Sequence, residues 1–342
     1  MDKRPMHIVV GGGSSGTALT LRLLETCDVL LISEGSDLDL ALDPRIARAD
    51  RWGAAAHTEH LGRSAETTLP DPSRGGRVQE YPRGVGLGGT SNINAMLCSA
   101  GSPSVFDDHW PYSWRAAALD PYLLLAEEMG MREVVCRGGV FATIQALSLK
   151  EERRTSRSDL KSRLWERGAA SYLGLFEGQK RRLLCHPLRE AQSRGHLKVM
   201  WGVSAVRVLY RPGTNSVSGV LVRVSETGAL RFVRRPAGGE VVLCAGVFET
   251  PKILARSQLF GSPLLIRSRK SCTYPVPPVR IDVGSAFSDH SVVPVTGLGI
   301  WWSPSGQSES KPVFPGNSVH GWIYLDCKGE VIQPGDVQSK PW

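Results

Sequence analysis

A chain of 342 residues with 41% hydrophobic and 22% charged side chains can bury a sizeable core and holds one large domain or two smaller ones. No apolar run reaches the roughly eighteen residues of a membrane span, and the first strand-like run starts at His7, so a signal peptide has no room and a cytoplasmic protein is expected. The net charge of +8 sits in stretches such as residues 150–163, 180–194 and 267–270, where no aromatics interleave with the basic residues, which argues against a nucleic-acid partner.

Taken in chain order, HIVVGGGSSGTALTLRLLETCDVLLISEGSD (7–37) reads as strand, glycine turn, helix and second strand. Leu19 and Leu23, one helical turn apart with Ala18 and Leu21 beside them, mark the apolar face of that helix. The turn Gly11-Gly12-Gly13-Ser14-Ser15-Gly16 fits G-x-G-x-x-G between a strand and a helix. In that fingerprint Gly11 permits the tight turn, Gly13 lets a pyrophosphate approach the backbone, and Gly16 lets helix and strand pack closely. The helix N-terminus, with Ser14 and Ser15, then offers N–H groups to phosphate. Glu34, followed by Gly35 at the end of the second strand, stands where a ribose hydroxyl needs an acceptor, and it disfavours a 2′-phosphate.

Residues 38–80 are polar and rich in Pro, Gly and Arg, an excursion from the core. RGVGLGGTSNINAM (83–96) follows, with Gly84, Gly86, Gly88 and Gly89 in six positions and an apolar run after them. Glycines so dense remove the Cβ atoms that would hold a flat ligand away from main chain. Residues 131–180 are a second, charged excursion. HLKVMWGVSAVRVLY (196–210) reads as a strand, SVSGVLVRVSETGALRFVRR (216–235) as strands around the turn Glu226-Thr227-Gly228, and GEVVLCAGVFETPKILARSQL (239–259) as a buried strand and then a helix. The tail from residue 301 is rich in Pro, Ser and Gly. The seven cysteines, Cys27, Cys98, Cys136, Cys185, Cys244, Cys272 and Cys327, contain no C-x-x-C pair, against both a disulfide framework and a zinc site.

An enzyme of nicotinamide cofactors usually repeats the first βαβ unit, and no repeat appears here. GVGLGGTSNINAMLCSAGSPSVFDDHW instead resembles the first signature of the glucose–methanol–choline (GMC) flavin oxidoreductases. GEVVLCAGVFETPKILARSQL resembles their second signature, VGSAFSDHSVVPV (283–295) the stretch closing the flavin-binding half, and HLKVMWGVSAVRVLY the strand whose valine meets the adenine. The resemblance implies FAD, with the first fingerprint at its ADP half and the second glycine loop beneath pyrophosphate and flavin. Carried over, the binding residues are Gly11, Gly13, Ser14, Ser15, Gly16, Glu34 and Gly35; Arg83, Gly86, Gly88, Gly89 and Thr90; Val206, through its backbone; and Ala245 and Gly246. Asn94, Ala95, Met96 and Leu97 would border the isoalloxazine. Some members join the flavin covalently through a histidine; the matching residue is Ile93, which implies non-covalent FAD. The usual Ser-Gly-Ile-Gly after the second signature reads Ser257-Gln258-Leu259-Phe260-Gly261, leaving the end of that helix open, and Ala286 replaces a common asparagine.

The family's reaction is oxidation of a CH–OH donor with hydride transfer to flavin N5, and it uses a histidine base with a second His or Asn near the C-terminus. The sequence ends at Trp342 before that region, so no catalytic residue is assigned. His186 lies in Cys185-His186-Pro187-Leu188-Arg189, which lacks the motif's glycine; His290 reads as structural, and His109 and His320 as ordinary histidines. His57 and His60 have helix spacing without a third metal ligand.

The expected fold is α/β: a Rossmann-like FAD-binding domain over residues 1–290, with a parallel sheet, a β-meander and the two excursions, and the start of an antiparallel substrate domain over 291–342. The expectation is the FAD-binding part of an oxidoreductase taking a small alcohol substrate, with oxygen or a quinone as acceptor. Unpaired edges of the incomplete substrate sheet would invite a partner chain. Two alternatives stand beside it: a flavin-binding remnant serving as partner or sensor, and an NAD-linked Rossmann dehydrogenase.

Overall fold

The computed structural model describes residues 4–35, 62–66, 80–94, 97–98, 100–101, 103–128, 131–133, 159–162, 164–165, 172–174, 182–211, 214 and 216–258. In chain order the elements are β1 (Met6–Val10), α1 (Ser14–Leu23), β2 (Asp28–Ile32), β3 (Gly62–Glu66), β4 (Glu80–Gly84), a 3-10 turn (Gly89–Asn92), β5 (Leu97–Cys98), α2 (Pro103–His109), a 3-10 turn (Tyr112–Trp114), α3 (Ala116–Glu128), β6 (Met131–Glu133) and β7 (Tyr172–Gly174). They continue with α4 (Arg182–Ser193), β8 (Leu197–Met200), β9 (Val203–Tyr210), β10 (Val217–Val224), β11 (Leu230–Arg234), β12 (Val241–Leu243) and α5 (Gly246–Gln258). The described residues before Asn94 and from Leu184 onward form one compact unit; those from Asn94 to Leu183 form another.

The first unit is an α/β structure around a parallel sheet in the order β12-β1-β2-β8. Its strands are apolar at nearly every position because both faces are covered. Ile8, Val10 and Ile32 point one way, into a cluster with Val203, Val208, Val220 and Val222 of the meander and Ile253 of α5. Val9, Val29 and Leu31 point the other way, toward Leu188 of α4 and half-buried leucines of α1. The helix face differs from expectation. Gly16, Thr17 and Thr20 are the buried residues of α1, while Leu19, Leu21 and Leu23 are half-buried and Ala18 is exposed. The helix approaches the β1 turn so closely at Gly16 that small side chains fill the contact.

The run 196–210 is two strands and not one. β8 pairs parallel with β2, and β9 opens a separate antiparallel meander in the order β11-β10-β9. The change of sheet falls at Trp201-Gly202, where Gly202 takes φ +63° and donates its N–H to Gly35 O at 2.8 Å. The hairpin between β10 and β11 closes around Glu226-Thr227-Gly228 as expected. In the ladder of β9 and β10, Arg207 faces Leu221 and Ala205 faces Val222, so the register passes over Val206.

In the second unit β5, β7 and β6 form an antiparallel sheet. Asp120 of α3 is buried and accepts the N–H groups of Lys161 and Ser162 and the Trp165 indole Nε1–H at 2.8 Å. Burial pushes its carboxyl up, but the Ser162 and Lys161 amides, the Trp165 indole and the Lys161 charge outweigh this and hold it below the usual aspartate range. Glu127, two turns on, accepts from Ser162 Oγ and the Leu164 N–H.

Candidate functional site

The glycines of the first turn serve two different needs. Gly11 takes φ +102°, and a Cβ added there would lie 2.4 Å from Cys244 O. A Cβ on Gly16 would lie 1.8 Å from Gly11 O. Both residues are glycine because the chain packs against itself at those points. Gly13 is otherwise: its φ of −73° suits any residue, and the nearest atom to an added Cβ is Gly89 Cα at 3.9 Å. Nothing in the described chain requires glycine at 13; the space beside it is left over. Gly13 caps α1 with no side-chain hydrogen bond and no acidic residue in the first turn. The first amide to bond within the helix is that of Thr17, to Gly13 O, so the N–H groups of Ser14, Ser15 and Gly16 stand ahead of it at the positive end of the helix dipole.

The second glycine loop meets the first main chain to main chain. Gly88 donates its N–H to Gly12 O at 2.8 Å, and Gly13 and Gly88 form a parallel bridge. A Cβ on Gly89 would come within 2.8 Å of Gly13 Cα, and one on Gly35 within 2.4 Å of Gly86 Cα. Thr90 Oγ1 accepts the Gly84 N–H at 3.2 Å. Asn92, fully buried, donates from Nδ2 to the carbonyls of Leu87 and Val85 and so sets the loop's shape. Sequence reasoning singled out Asn94 and passed over Asn92; an asparagine three residues past the last glycine was the available signal.

A third stretch closes on the same turn. The Cys244 N–H donates to Val10 O at 2.7 Å, and Ala245 Cα borders Gly11. Gly246, at φ +83°, opens α5 with no atom within 4 Å of an added Cβ. Burial pushes the Cys244 thiol up, away from a reactive thiolate. α5 is held to the meander by Ser257, which is buried, accepts the Val208 N–H at 2.9 Å and donates to Ile253 O. The helix therefore keeps its anchor despite the departure at Gln258. It starts five residues before Pro251, earlier than Pro251 alone suggests.

Arg83 stands between two carboxylates of this unit. Arg83 Nη1 lies 3.5 Å from Glu34 Oε2, and Nη2 lies 3.7 Å from Glu249 Oε1. Glu249 was not anticipated, because ion pairs between distant segments leave no periodic mark in a sequence.

Of the residues assigned to the isoalloxazine, Asn94 is exposed and Leu97 belongs to β5, both in the second unit; Ala95 and Met96 lie outside the described residues. His57, His60, His290, His320 and the stretch from 291 to 342 also lie outside them. His109 is exposed at the end of α2, and His186 falls within α4. Among the described residues no three His, Cys, Asp or Glu side chains group as metal ligands, and no helix is long and apolar enough to cross a membrane.

A parallel sheet opening through a glycine turn into a helix, with an antiparallel meander on one face, defines a Rossmann-like α/β protein. The match to the GMC oxidoreductase family runs over residues 6–292, and the chain belongs to that family, whose members are FAD flavoproteins. It is 28% identical over 312 residues to an oxygen-dependent choline dehydrogenase of Pectobacterium atrosepticum, covering 83% of this chain and 52% of that protein. Its fold is similar to that of pyridoxine 4-oxidase from Mesorbium loti, with TM-score 0.59, 23% identity, and 75% of this chain and 52% of that chain covered. It is also similar to formate oxidase, with TM-score 0.58, 18% identity, and 75% and 48% covered. The chain spans about half the length of the curated relatives it matches.

Proposed function

We propose that this chain is the FAD-binding part of an oxidoreductase acting on CH–OH donors. The observation that carries the reading is the meeting of two bare main-chain stretches, residues 11–16 and 84–89, joined at Gly12–Gly88 and Gly13–Gly88. Residues beside that junction suit a dinucleotide. Gly13 leaves space that the chain's own packing does not use, and the uncapped start of α1 presents amides to a diphosphate. Glu34 would accept from a ribose hydroxyl. Val206, passed over by the ladder, would turn its main chain to the adenine, since the extra residue of a bulge is left unpaired. Gly246 leaves a second open space at the start of α5.

FAD, when bound, supplies the hydride acceptor for a carbinol carbon. The residues named here bind and orient it, and none of them is assigned a proton-transfer role. Binding is non-covalent in this reading, because Ile93 is a buried hydrocarbon without a nucleophile. The substrate class is a small alcohol and the acceptor oxygen, supported by the names of the choline dehydrogenase and pyridoxine 4-oxidase to which the chain is similar.

The test is an absorption spectrum of the purified chain, before and after acid precipitation. A yellow protein that releases all its flavin to the supernatant is expected. A colourless chain that fails to quench added FAD fluorescence would overturn the reading. Colour that stays with the pellet would overturn non-covalent binding alone.

A further inference from the structure

Tyr81 and Arg83 alternate onto one face of β4, and both meet the first turn of α5. The rings of Tyr81 and Phe248 lie 5.7 Å apart, and Arg83 reaches Glu249 beside them. The two ends of the Arg83 guanidinium thus face carboxylates from two segments, Glu34 after β2 and Glu249 on α5. Lys252, nearly one turn further along, lies 3.0 Å from Glu249, with its own side chain half exposed.

The chemistry of these groups is opposed. At the end of the second strand a carboxylate accepts from a ribose 2′-hydroxyl, whereas an arginine there receives a 2′-phosphate. Here both stand together. Glu34 and Glu249 flank Arg83 with two negative charges, and Lys252 offsets part of the Glu249 charge from the far side. A guanidinium flanked on both sides by carboxylates is neutralised as a phosphate ligand and serves as a brace for Glu34.

We propose that Arg83, held between Glu34 and Glu249, fixes the ribose end of the site for a free hydroxyl, and that Glu249 is the counter-charge that keeps Arg83 from accepting a phosphate there. This rests on the dinucleotide reading above and adds a specificity-determining pair to it. Arg83 and Glu249 are positioning residues that act through Glu34.

The experiment compares adenosine 5′-monophosphate with adenosine 2′,5′-bisphosphate, which differ by the 2′-phosphate alone, by isothermal titration into the full chain after its flavin has been removed. FAD binding is followed separately by fluorescence quenching, and circular dichroism checks each fold. The wild-type chain is expected to favour the monophosphate by ~100-fold, as expected for like charges opposed at close quarters. Glu249→Gln, an isosteric change, should narrow that ratio about tenfold while FAD still binds, because one counter-charge is gone. Glu34→Gln with Glu249→Gln should reverse the preference, and adding Arg83→Leu to that pair should abolish the reversal. Arg83→Lys keeps the charge but not the two-sided fork, and should weaken the monophosphate without gaining the bisphosphate. An unchanged ratio in both glutamine variants, with FAD still bound, would sink this proposal and leave the dinucleotide reading standing. A wild-type chain that binds neither FAD nor the monophosphate would sink both.

Discussion

The two units join distant segments by opposite means. In the first, the closest meetings are main chain against main chain: Gly16 on Gly11, Gly89 on Gly13, Gly35 on Gly86, with side chains given up at each. In the second, carboxylates of one helix share the joining with main-chain bonds such as Ala100 N–H to Leu164 O. Asp120 and Glu127 of α3 gather the amides of Lys161, Ser162 and Leu164 and the indole of Trp165. Removing side chains brings backbones within reach and leaves open space beside them, as at Gly13 and Gly246. Spending carboxylates on amides fills space and fixes a loop. The first is a way to build a slot, the second a way to build a scaffold.

Substitutions can break or sharpen this contrast. Gly16→Val should have the largest effect, because its Cβ would lie 1.8 Å from a backbone oxygen and no flexible atom can yield. A loss of at least about 4 kcal/mol, or failure to fold, is expected in a thermal melt. Asp120→Ala strands two amides and an indole N–H, and should cost about 3 kcal/mol in denaturant unfolding. Because the folded Asp120 carboxyl titrates below its unfolded value, its contribution is complete above the ordinary aspartate range and is lost as pH falls through the folded value. Asp120→Asn should accordingly flatten the acid limb of the stability profile. Gly13→Ala is the decisive contrast with Gly16. Unfolding stability should hold to within about 0.5 kcal/mol, while the Kd for FAD rises about 100-fold, or roughly 2.7 kcal/mol. Equal damage at both glycines would mean that Gly13 serves packing as well. Ser257→Ala should cost about 1 kcal/mol, seen as a small shift in melting point, because it removes the acceptor of the Val208 N–H.

The first glycine turn was legible because its spacing is local: a strand, three glycines at set intervals and a helix need no distant partner to be seen. β1 and β2 were legible too, as apolar runs on either side of the glycine turn and helix. The break at Trp201-Gly202 was hidden, since the β-prone runs on either side outweigh the single Gly202, and pairing with β2 on one side and β10 on the other divides them. The buried face of α1 was only partly legible for a related reason. Periodic leucines mark a face, but the tightest contact went to Gly16, Thr17 and Thr20, whose small size is what permits it. Charged contacts such as Arg83 with Glu249, and the amide bonds of Asp120, join segments far apart in sequence. Nothing nearby in the chain signals them.

The place where the β9–β10 ladder passes over Val206 has an evolutionary consequence. Whatever leans on the peptide group there is indifferent to which side chain the gene encodes, so drift at this position is silent provided the strand keeps its length. Replacing Val206 with Thr should leave FAD affinity within about twofold, whereas deleting one residue from β9 should abolish it. A lineage can therefore diverge until about a quarter of its residues remain shared, as between this chain and pyridoxine 4-oxidase at 23% identity, with a similar fold.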